Sequence, residues 1–444
     1  MEPQKGNTTD SPNSDSVLTG QLRIAELAKQ SRDREFLSLN HYLTRHWLSA
    51  AYARTRKGGA VGIDGQTWAE YGIDLESNLK TLLDRAKSGQ YHAPPVRRVH
   101  IPKGPGSTET RPLGIPTFED KVLQRAVVML LEPIYEQDFL DSHRRSAHQA
   151  LATIREGLME FGGGWVLDVD IRKFFDTLQR PALRELLRRR VRDGVVLRLI
   201  DKWLKAGVWE DGTVTHPDEG TPQGGVISPL LANIYLHYVL DEWFEQEVKP
   251  QLAGDAFLVR FADDFVIIFR HEADARRVLD VLPERFNKFG LQLHPEKTRL
   301  VPFGRPARTP ASSAGTPPPG TFDLLGFTHY WGRSRNGYWV VKRKTAKSRV
   351  RRALLGISNW CRRYRHWSIP DQHQALTRKL RGHYGYYAIR GNSQTLSAFH
   401  EQVTRIWRKW LSRRKRGHPM PWAISTRLLA RYPLPRPRIL HPKV

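Results

Sequence analysis

One short stretch limits what this chain can fold into more than any other: two adjacent aspartates, Asp263 and Asp264, lie between two apolar runs. The runs, residues 256–259 and 265–269, are short and rich in Val, Ile and Phe, a composition typical of β-strands. The pattern predicts a β-hairpin with both aspartates at its tip, although Ala262 and the pair lack the Asn-Gly or Asp-Gly signature of a tight turn. Alone, such a pair more often marks an acidic surface turn than a site for a divalent cation.

A third carboxylate, Asp170, changes that balance. It follows three glycines (162–164) and lies in an apolar stretch, residues 165–171, that predicts a buried strand ending in an acid. Asp170 is therefore the first candidate partner of the aspartate pair, and Asp168, on the same strand face, is a weaker rival. Carboxylates at a strand end and a hairpin tip suit two Mg²⁺ ions, one activating an attacking hydroxyl and the other steadying a leaving phosphate.

The positive charge of the chain is concentrated at its carboxyl-terminal end. The net charge is +26, and residues 331–444 hold 28 Lys and Arg against two acids, so residues 1–330 are neutral overall. A neutral body with one strongly basic end predicts a dedicated polyanion-binding surface. Seven of the 13 tryptophans lie in the same end. Aromatic rings among basic side chains suit stacking on unpaired bases, although most of these rings are expected to pack the core.

Composition predicts three regions. Residues 1–35 are expected to be a leader and N-terminal extension, disordered to about residue 20, followed by a catalytic region at 36–330 and a basic region at 331–444. No apolar run approaches about 18 residues and no apolar signal core opens the chain, so no membrane span and a cytoplasmic location are expected. The single cysteine, Cys361, excludes a disulfide framework and is expected to be a core thiol on a helix.

Two further segments could contact phosphates or a nucleotide. Residues 96–103 and 111–116 predict a basic hairpin that carries Lys103 and Arg111, which either grips a triphosphate or is simply solvated. Residues 220–229 predict a glycine-containing loop that enters a helix. Its paired glycines beside Gln223 suit a flat group passing over the backbone, or an ordinary helix N-terminal turn.

These motifs together resemble the reverse transcriptases encoded by bacterial group II introns, over roughly residues 36–440. The most specific pieces are Asp170-Ile171-Arg172-Lys173-Phe174-Phe175-Asp176, the loop and helix from Pro222 to Leu236, Phe261-Ala262-Asp263-Asp264, and Leu325-Gly326-Phe327. The resemblance implies an α+β right-hand polymerase fold: fingers, a palm with an antiparallel sheet, and a helical thumb, with a basic helical C-terminal maturase domain.

The resemblance also assigns roles to single residues of this sequence. It implies catalytic and metal-binding roles for Asp170, Asp263 and Asp264, proton donation to pyrophosphate by Lys297, a triphosphate grip by Lys103 and Arg111, exclusion of a ribonucleotide 2′-hydroxyl by Phe175, and a place near the nucleotide sugar for Gln223. The implied cofactor is Mg²⁺, and the implied partners are dNTPs, a template–primer RNA/DNA duplex, group II intron RNA and target DNA.

The chain departs from the family pattern in three places. Phe261 stands where the family usually has Tyr, which keeps the ring and should leave metal binding intact. A finger segment at residues 142–148 is about four residues shorter than usual, and no His-Asn-His endonuclease module follows the thumb, so no second-strand cleavage is expected.

Four functions therefore stay open. The first is an RNA-directed DNA polymerase that also helps its intron RNA fold. The second is a splicing maturase whose polymerase has decayed, and the third is a reverse transcriptase domesticated for phage defence or DNA repair. The fourth, an RNA-copying RNA polymerase, is disfavoured by Phe175 and by the Phe-Ala-Asp-Asp motif at 261–264.

Overall fold

The structure is a computed structural model that describes residues 12–102, 104, 109–140, 146–216, 224–306, 319–414, 420–442 and 444. Two predicted site residues, Lys103 and Gln223, lie outside the described residues. Most of the shortened finger segment, residues 142–145, lies outside them as well.

Helices make up most of the described chain. The α-helices are α1 (Pro12–Gln30), α2 (Arg45–Arg54), α3 (Trp68–Tyr71), α4 (Leu75–Ser88), α5 (Phe118–Asp138), α6 (Ala147–Glu160), α7 (Phe174–Thr177), α8 (Arg180–Arg188), α9 (Gly194–Leu204), α10 (Ser228–Leu236), α11 (Glu272–Asn287), α12 (Lys347–Arg363), α13 (Ile369–Tyr387), α14 (Ser393–Ser412) and α15 (Trp422–Arg431). After α10 the chain continues as π-helical turns, His237–Asp241 and Phe244–Val248.

The strands form three sheets. They are β1 (Val96–Pro102), β2 (Thr110–Ile115), β3 (Trp165–Val169), β4 (Val208–Glu210), β5 (Thr213–Thr215), β6 (Ala256–Phe261), β7 (Asp264–Phe269), β8 (Arg299–Pro302), β9 (Phe322–Leu324), β10 (Phe327–Arg333) and β11 (Trp339–Thr345). Their orders are β2-β1-β4-β5, β6-β7-β3-β8 and β11-β10-β9, with antiparallel neighbours except for the parallel pair β1 and β4. Helices with largely antiparallel sheets agree with the predicted α+β class.

The sheet β6-β7-β3-β8, called the central sheet below, is buried on both faces. Leu167 and Ile267 pack into the largest core, together with helices α5, α10 and α11. The alternate residues Val166 and Ile268 pack into a second core with Trp331 of β10 and residues of α6. Burial on both faces explains why β7 is an uninterrupted apolar run rather than an alternating one.

The expected disorder at the N-terminal end was wrong for residues 12–20. This segment forms the first half of α1, and Val17, Ile24 and Ala28 are almost fully buried in the same core as α5. These residues lie seven and four positions apart, so they share one helix face. The polar composition of the segment hid this sparse apolar face, which is the physical reason for the error.

The carboxyl-terminal helices α12–α14 build a core of their own. Its members include Ile357, Leu380 and Trp407, and Cys361 lies within it on α12, which confirms the expected core thiol. Burial raises the pKa of the Cys361 thiol to about 12. The domain boundary predicted after residue 330 falls inside β10, because the sheet β11-β10-β9 precedes the first helix of this core.

Candidate active site

The two adjacent aspartates lie where strand β6 turns into β7. Phe261 pairs with Asp264, so Ala262 and Asp263 form a two-residue loop. Ala262 has a φ of 56°, in the left-handed region that residues other than glycine seldom adopt. The predicted hairpin is confirmed, with Asp263 in the loop and Asp264 as the first residue of β7.

A buried arginine holds this hairpin loop. Arg260 is fully buried, and its Nη1 donates to the carbonyl of Ala262 and to Oδ1 of Asn233, each at 3.1 Å. Its Nε and Nη2 donate to the two carboxylate oxygens of Asp241 at 2.9 and 2.5 Å. Such a paired fork fixes both distance and orientation. The sequence analysis missed this role, although a charged residue within an apolar strand is a usable signal, because such residues are seldom fully buried without a partner.

Strand β3 brings Asp170 to the same end of the central sheet. Its last residue, Val169, is paired with Phe265 of β7, so continuing the register by one residue puts Asp170 beside Asp264. Residues opposite each other on antiparallel strands have Cα atoms about 5 Å apart. The Asp170 carbonyl also accepts the backbone N–H of His294 at 2.8 Å. The structure thus gathers the three predicted carboxylates at one sheet end.

The electrostatics of Asp264 reflect this gathering. Desolvation, followed by the negative charges of Asp263 and Asp170, raises the pKa of Asp264 to about 6. The guanidinium of Arg349, from the first turn of α12, acts in the opposite direction. Carboxylates that raise one another's pKa are stabilised in their charged form by a nearby cation. The basic carboxyl-terminal region therefore contributes directly to the electrostatics of this site.

Two basic side chains bind Asp168 of β3 and Asp170, which directly follows that strand. Nζ of Lys297 lies 2.9 Å from Oδ2 of Asp170, and both side chains are partly exposed. Nε of Arg299 lies 3.1 Å from Oδ2 of Asp168. Burial raises the pKa of Asp168 to about 6, and Arg299 opposes that rise. Asp168 is therefore held in an ion pair of its own, apart from the aspartate pair.

These groups line a cleft of about 390 Å³ between the central sheet and the start of α12. Its charged lining residues are Asp168, Asp170, Asp264, Glu296, Lys297, Arg299, Asp323 and Arg349. Among the described residues, no three His, Cys, Asp or Glu side chains are arranged closely enough to hold a metal ion. The chemistry of the donors nevertheless suits one: hard carboxylate oxygens are the ligands that Mg²⁺ prefers, and desolvation, with added repulsion from Asp263 and Asp170, raises the pKa of Asp264.

The predicted nucleotide-contacting residues are less closely gathered. Arg111 lies on β2 with an exposed side chain, while Arg97 of the same hairpin donates to the Val61 carbonyl at 2.7 and 3.1 Å. Phe175 is half-buried in α7, with its ring 5.3 Å from that of Phe174. Arg97 therefore has a structural contact, and the triphosphate grip of Arg111 stays a prediction.

The two glycines that precede α10 lie close to other parts of the protein. A Cβ on Gly224, whose φ is 120°, would lie 2.5 Å from the carbonyl oxygen of Gly114 on β2. A Cβ on Gly225 would lie 2.8 Å from Oγ of Ser228. The backbone contact at Gly224, together with its positive φ, disfavours any side chain there, whereas the Ser228 hydroxyl beside Gly225 can rotate away. Gly224 therefore lets β2 approach this segment closely, and a flat ligand beside Gln223 stays a prediction.

Comparison with known proteins decides the family. The family model described as reverse transcriptase (RNA-dependent DNA polymerase) matches residues 101–329, more than half of the chain. The chain belongs to the reverse transcriptase family. The matched residues of this reverse transcriptase include both β3 and the β6–β7 hairpin.

Curated relatives agree with this assignment and with the group II intron resemblance. Protein YkfC of Escherichia coli strain K12 is 35% identical over 286 residues, which cover 56% of this chain and 71% of the relative. The group II intron-encoded protein LtrA of Lactococcus lactis subsp. cremoris is 40% identical over 225 residues, or 48% of this chain and 36% of LtrA. An uncharacterized 91 kDa protein in the cob intron of Schizosaccharomyces pombe is 32% identical over 255 residues, or 54% and 30%.

The reverse transcriptase thus spans about a third of the length of these two intron proteins. In the part of the chain that the structure describes, no helix combines the length and the apolar character needed to cross a bilayer.

Proposed function

We propose that this reverse transcriptase is an RNA-directed DNA polymerase of the group II intron type, which extends a primer with dNTPs on an RNA template and assists splicing and mobility of an intron RNA. The observation that carries the proposal is the meeting of Asp170 with Asp263 and Asp264 at one end of the central sheet. In this assignment the central sheet is the palm, the sheet β2-β1-β4-β5 belongs to the fingers, and α12–α14 form the thumb and maturase region.

The cofactor of the proposed reaction is Mg²⁺, held by Asp170, Asp263 and Asp264. When bound, such ions supply activation of the primer hydroxyl and charge neutralisation of the leaving pyrophosphate. The protein's part is to hold the three carboxylates close together. Arg260 does this for the hairpin through the Ala262 carbonyl.

Four further residues are proposed to contact the nucleotide. Arg111 and Lys103 would grip the triphosphate, Phe175 would exclude a 2′-hydroxyl, and Gln223 would lie near the sugar. Lys297 would donate a proton to pyrophosphate, and its position 2.9 Å from Asp170 supports a role at the reacting phosphates.

The proposed nucleic-acid surface is the basic helical region after β11. Several cations there lie over aromatic rings: Arg363 over Tyr364, Lys379 over Trp360, and Arg413 over Trp410, at 5.1–5.5 Å from the ring centroids. The Trp367 side chain is 47% exposed beside the first two of these rings. Exposed aromatic groups with adjacent cations suit both phosphates and unpaired bases. The name of LtrA supports group II intron RNA as the partner.

Primer extension on an RNA template with dNTPs and Mg²⁺ tests the proposal. Wild-type protein is expected to make full-length DNA, and Asp263→Ala to make none while it still binds the template–primer duplex. Intron splicing is measured with the same two proteins. Splicing without DNA synthesis by the wild type would identify a maturase with a decayed polymerase, and ribonucleotide incorporation would identify an RNA polymerase.

A further inference from the structure

A chain of buried hydrogen bonds joins Trp203 of α9 and Tyr91 to Asp120 of α5. Nε1 of Trp203 donates to the Tyr91 hydroxyl at 3.2 Å, and this hydroxyl donates to Oδ1 of Asp120 at 2.5 Å. All three side chains are at least 96% buried. Burial raises the pKa of Asp120 to about 6, against the effect of its hydrogen bonds, so the carboxylate is mainly ionised above that pH. Such an interior network rigidifies its members only when each group is satisfied.

The chain continues to the start of helix α10. Nε2 of Gln124 donates to Oδ2 of Asp120 at 3.1 Å, and Oε1 of Gln124 accepts the backbone N–H groups of Val226 and Ile227 at 2.7 and 3.2 Å. The N-cap position of α10, Ile227, has no side chain that could cap the helix. Gln124, from another helix, therefore satisfies N–H groups that the start of a helix leaves without partners.

The acceptor-only character of Asp120 sets the orientation of Gln124. An ionised carboxylate has no proton to donate, so only the NH₂ end of the Gln124 amide can face it. The carbonyl end must then face Val226 and Ile227. An amide turned the other way would place N–H groups against N–H groups and leave buried donors unpaired, at a cost of about 1–3 kcal/mol each.

Helix α10 connects this contact to the aspartate hairpin. Asn233, two turns along the helix, accepts from Nη1 of Arg260, and the same nitrogen donates to the Ala262 carbonyl beside Asp263. Four residues before α10 begins, Gly224 lies against Gly114 of β2, the strand that carries Arg111. The segment leading into α10 thus contacts the strand proposed to grip the triphosphate, through Gly224, and α10 itself contacts Arg260 through Asn233.

We propose that Asp120 and Gln124 are positioning residues: they fix the start of α10, and through it the spacing between Arg111 on β2 and the aspartate hairpin, which sets the nucleotide site. This inference rests on the proposed function. It goes beyond it by placing control of dNTP affinity in a buried amide that touches no substrate.

A pair of swaps tests the orientation directly. Gln124→Glu places two carboxylates face to face and is expected to raise the KM for dNTP by about tenfold, equivalent to about 1.4 kcal/mol. Asp120→Asn permits the Gln124 amide to turn over and is expected to raise KM by a smaller factor. The double variant Asp120→Asn, Gln124→Glu reverses one hydrogen bond, keeps every other one and keeps one buried negative charge, so it is expected to return KM to within about twofold of wild type.

Helix α5 offers a matched control. Asp138→Asn weakens another buried carboxylate contact on the same helix, the 2.8 Å ion pair with Arg190, and is expected to lower the melting temperature without changing KM. Steady-state extension over a range of dNTP concentrations gives KM and kcat, and thermal unfolding gives stability. Unchanged KM in both single variants, or a double variant as defective as Gln124→Glu, would overturn the inference. Absence of DNA synthesis by the wild type would instead refute the proposed function.

Discussion

Nζ of Lys297 lies 2.9 Å from Oδ2 of Asp170, so a carboxylate proposed as a metal ligand is held by the ammonium proposed as a proton donor. The two roles are linked because the ammonium and a divalent cation compete for the same oxygen. Both groups are partly exposed, and water can exchange into the contact. The contact is therefore a local charge balance in the unliganded cleft rather than a main source of stability.

Replacing Lys297 separates these two effects. Lys297→Met is expected to lower the maximal rate of primer extension by about 10²-fold, the usual contribution of a general acid. It should also lower the Mg²⁺ concentration that gives half-maximal rate, because the competing positive charge is gone. Lys249→Met is the control, since Lys249 pairs with Glu245 at 2.8 Å away from the cleft. A higher Mg²⁺ requirement in the Lys297 variant would contradict the proposed competition.

The hydrogen bonds of Arg260 to Asp241, Asn233 and the Ala262 carbonyl predict that replacing this arginine reduces DNA synthesis more than its effect on the free energy of unfolding alone would. Arg260→Lys keeps a positive charge near Asp241 but loses the paired fork to Asp241 and the Nη1 hydrogen bonds to Asn233 and Ala262. DNA synthesis is expected to fall by about tenfold or more, with a stability loss of about 1–3 kcal/mol. Arg190→Lys alters another buried arginine–aspartate pair and should lose comparable stability while retaining activity. Equal losses of DNA synthesis in the Arg260 and Arg190 variants would argue against a positioning role for Arg260.

Asp120 gives the stability of the protein a pH dependence. Its pKa rises from 3.8 to about 6 on folding, so the folded state holds this proton more tightly than the unfolded chain. Its contribution to the free energy of unfolding is fully present below about pH 3.8 and is lost as pH rises through about 6, for a total of about 3 kcal/mol. Urea unfolding of wild type and Asp120→Asn between roughly pH 4 and pH 7 measures it. The stability of the wild type relative to the variant should fall with rising pH; a constant difference would contradict the assigned shift.

Helix α1 is expected to stabilise the whole protein. Ile24 is 1% exposed in the core shared with α5, and Ile24→Ala should lower the free energy of unfolding by about 2–5 kcal/mol through the cavity it leaves. Leu22, on the same helix, is 61% exposed, and Leu22→Ala should change stability by less than about 0.5 kcal/mol. Chemical denaturation compares the two. Equal small effects would mean that α1 does not pack on the core in solution.

The basic helical region predicts steeply salt-dependent RNA binding. Arg363→Ala combined with Lys379→Ala should reduce the slope of log affinity against log salt concentration by about two, since each lost phosphate contact removes about one. Arg276→Ala is the control because Arg276 is bound by Glu272 at 2.6 Å on α11. Filter binding of an intron RNA fragment at several salt concentrations gives the slopes. Identical slopes for the double variant and wild type would place the RNA surface elsewhere.

Features that depend on neighbouring residues could be predicted from the sequence, and contacts between distant segments could not. The β6–β7 hairpin and β3 were predictable because each is a short apolar run that ends in an acid. The Arg260–Asp241 pair was not, because it depends on a π-helical turn that brings Asp241 under the hairpin, and no local pattern marks such a turn. Arg349 and Gln124 were missed for a related reason: each acts on a segment about 85–100 positions away in the chain, through a contact that only the tertiary structure creates.

Burial of the central sheet on both sides has an evolutionary consequence. Strand β7 has no solvent-facing side, so a substitution anywhere between Phe265 and Phe269 must be absorbed by one packed core or the other. Substitutions can therefore change the shape of the cleft mainly at its exposed lining residues and in helix α12. The buried residues of β7 that follow the aspartates are expected to vary little. Substitutions that change template or nucleotide preference in proteins with this fold should accordingly occur among the exposed residues around the carboxylates rather than in the buried central sheet.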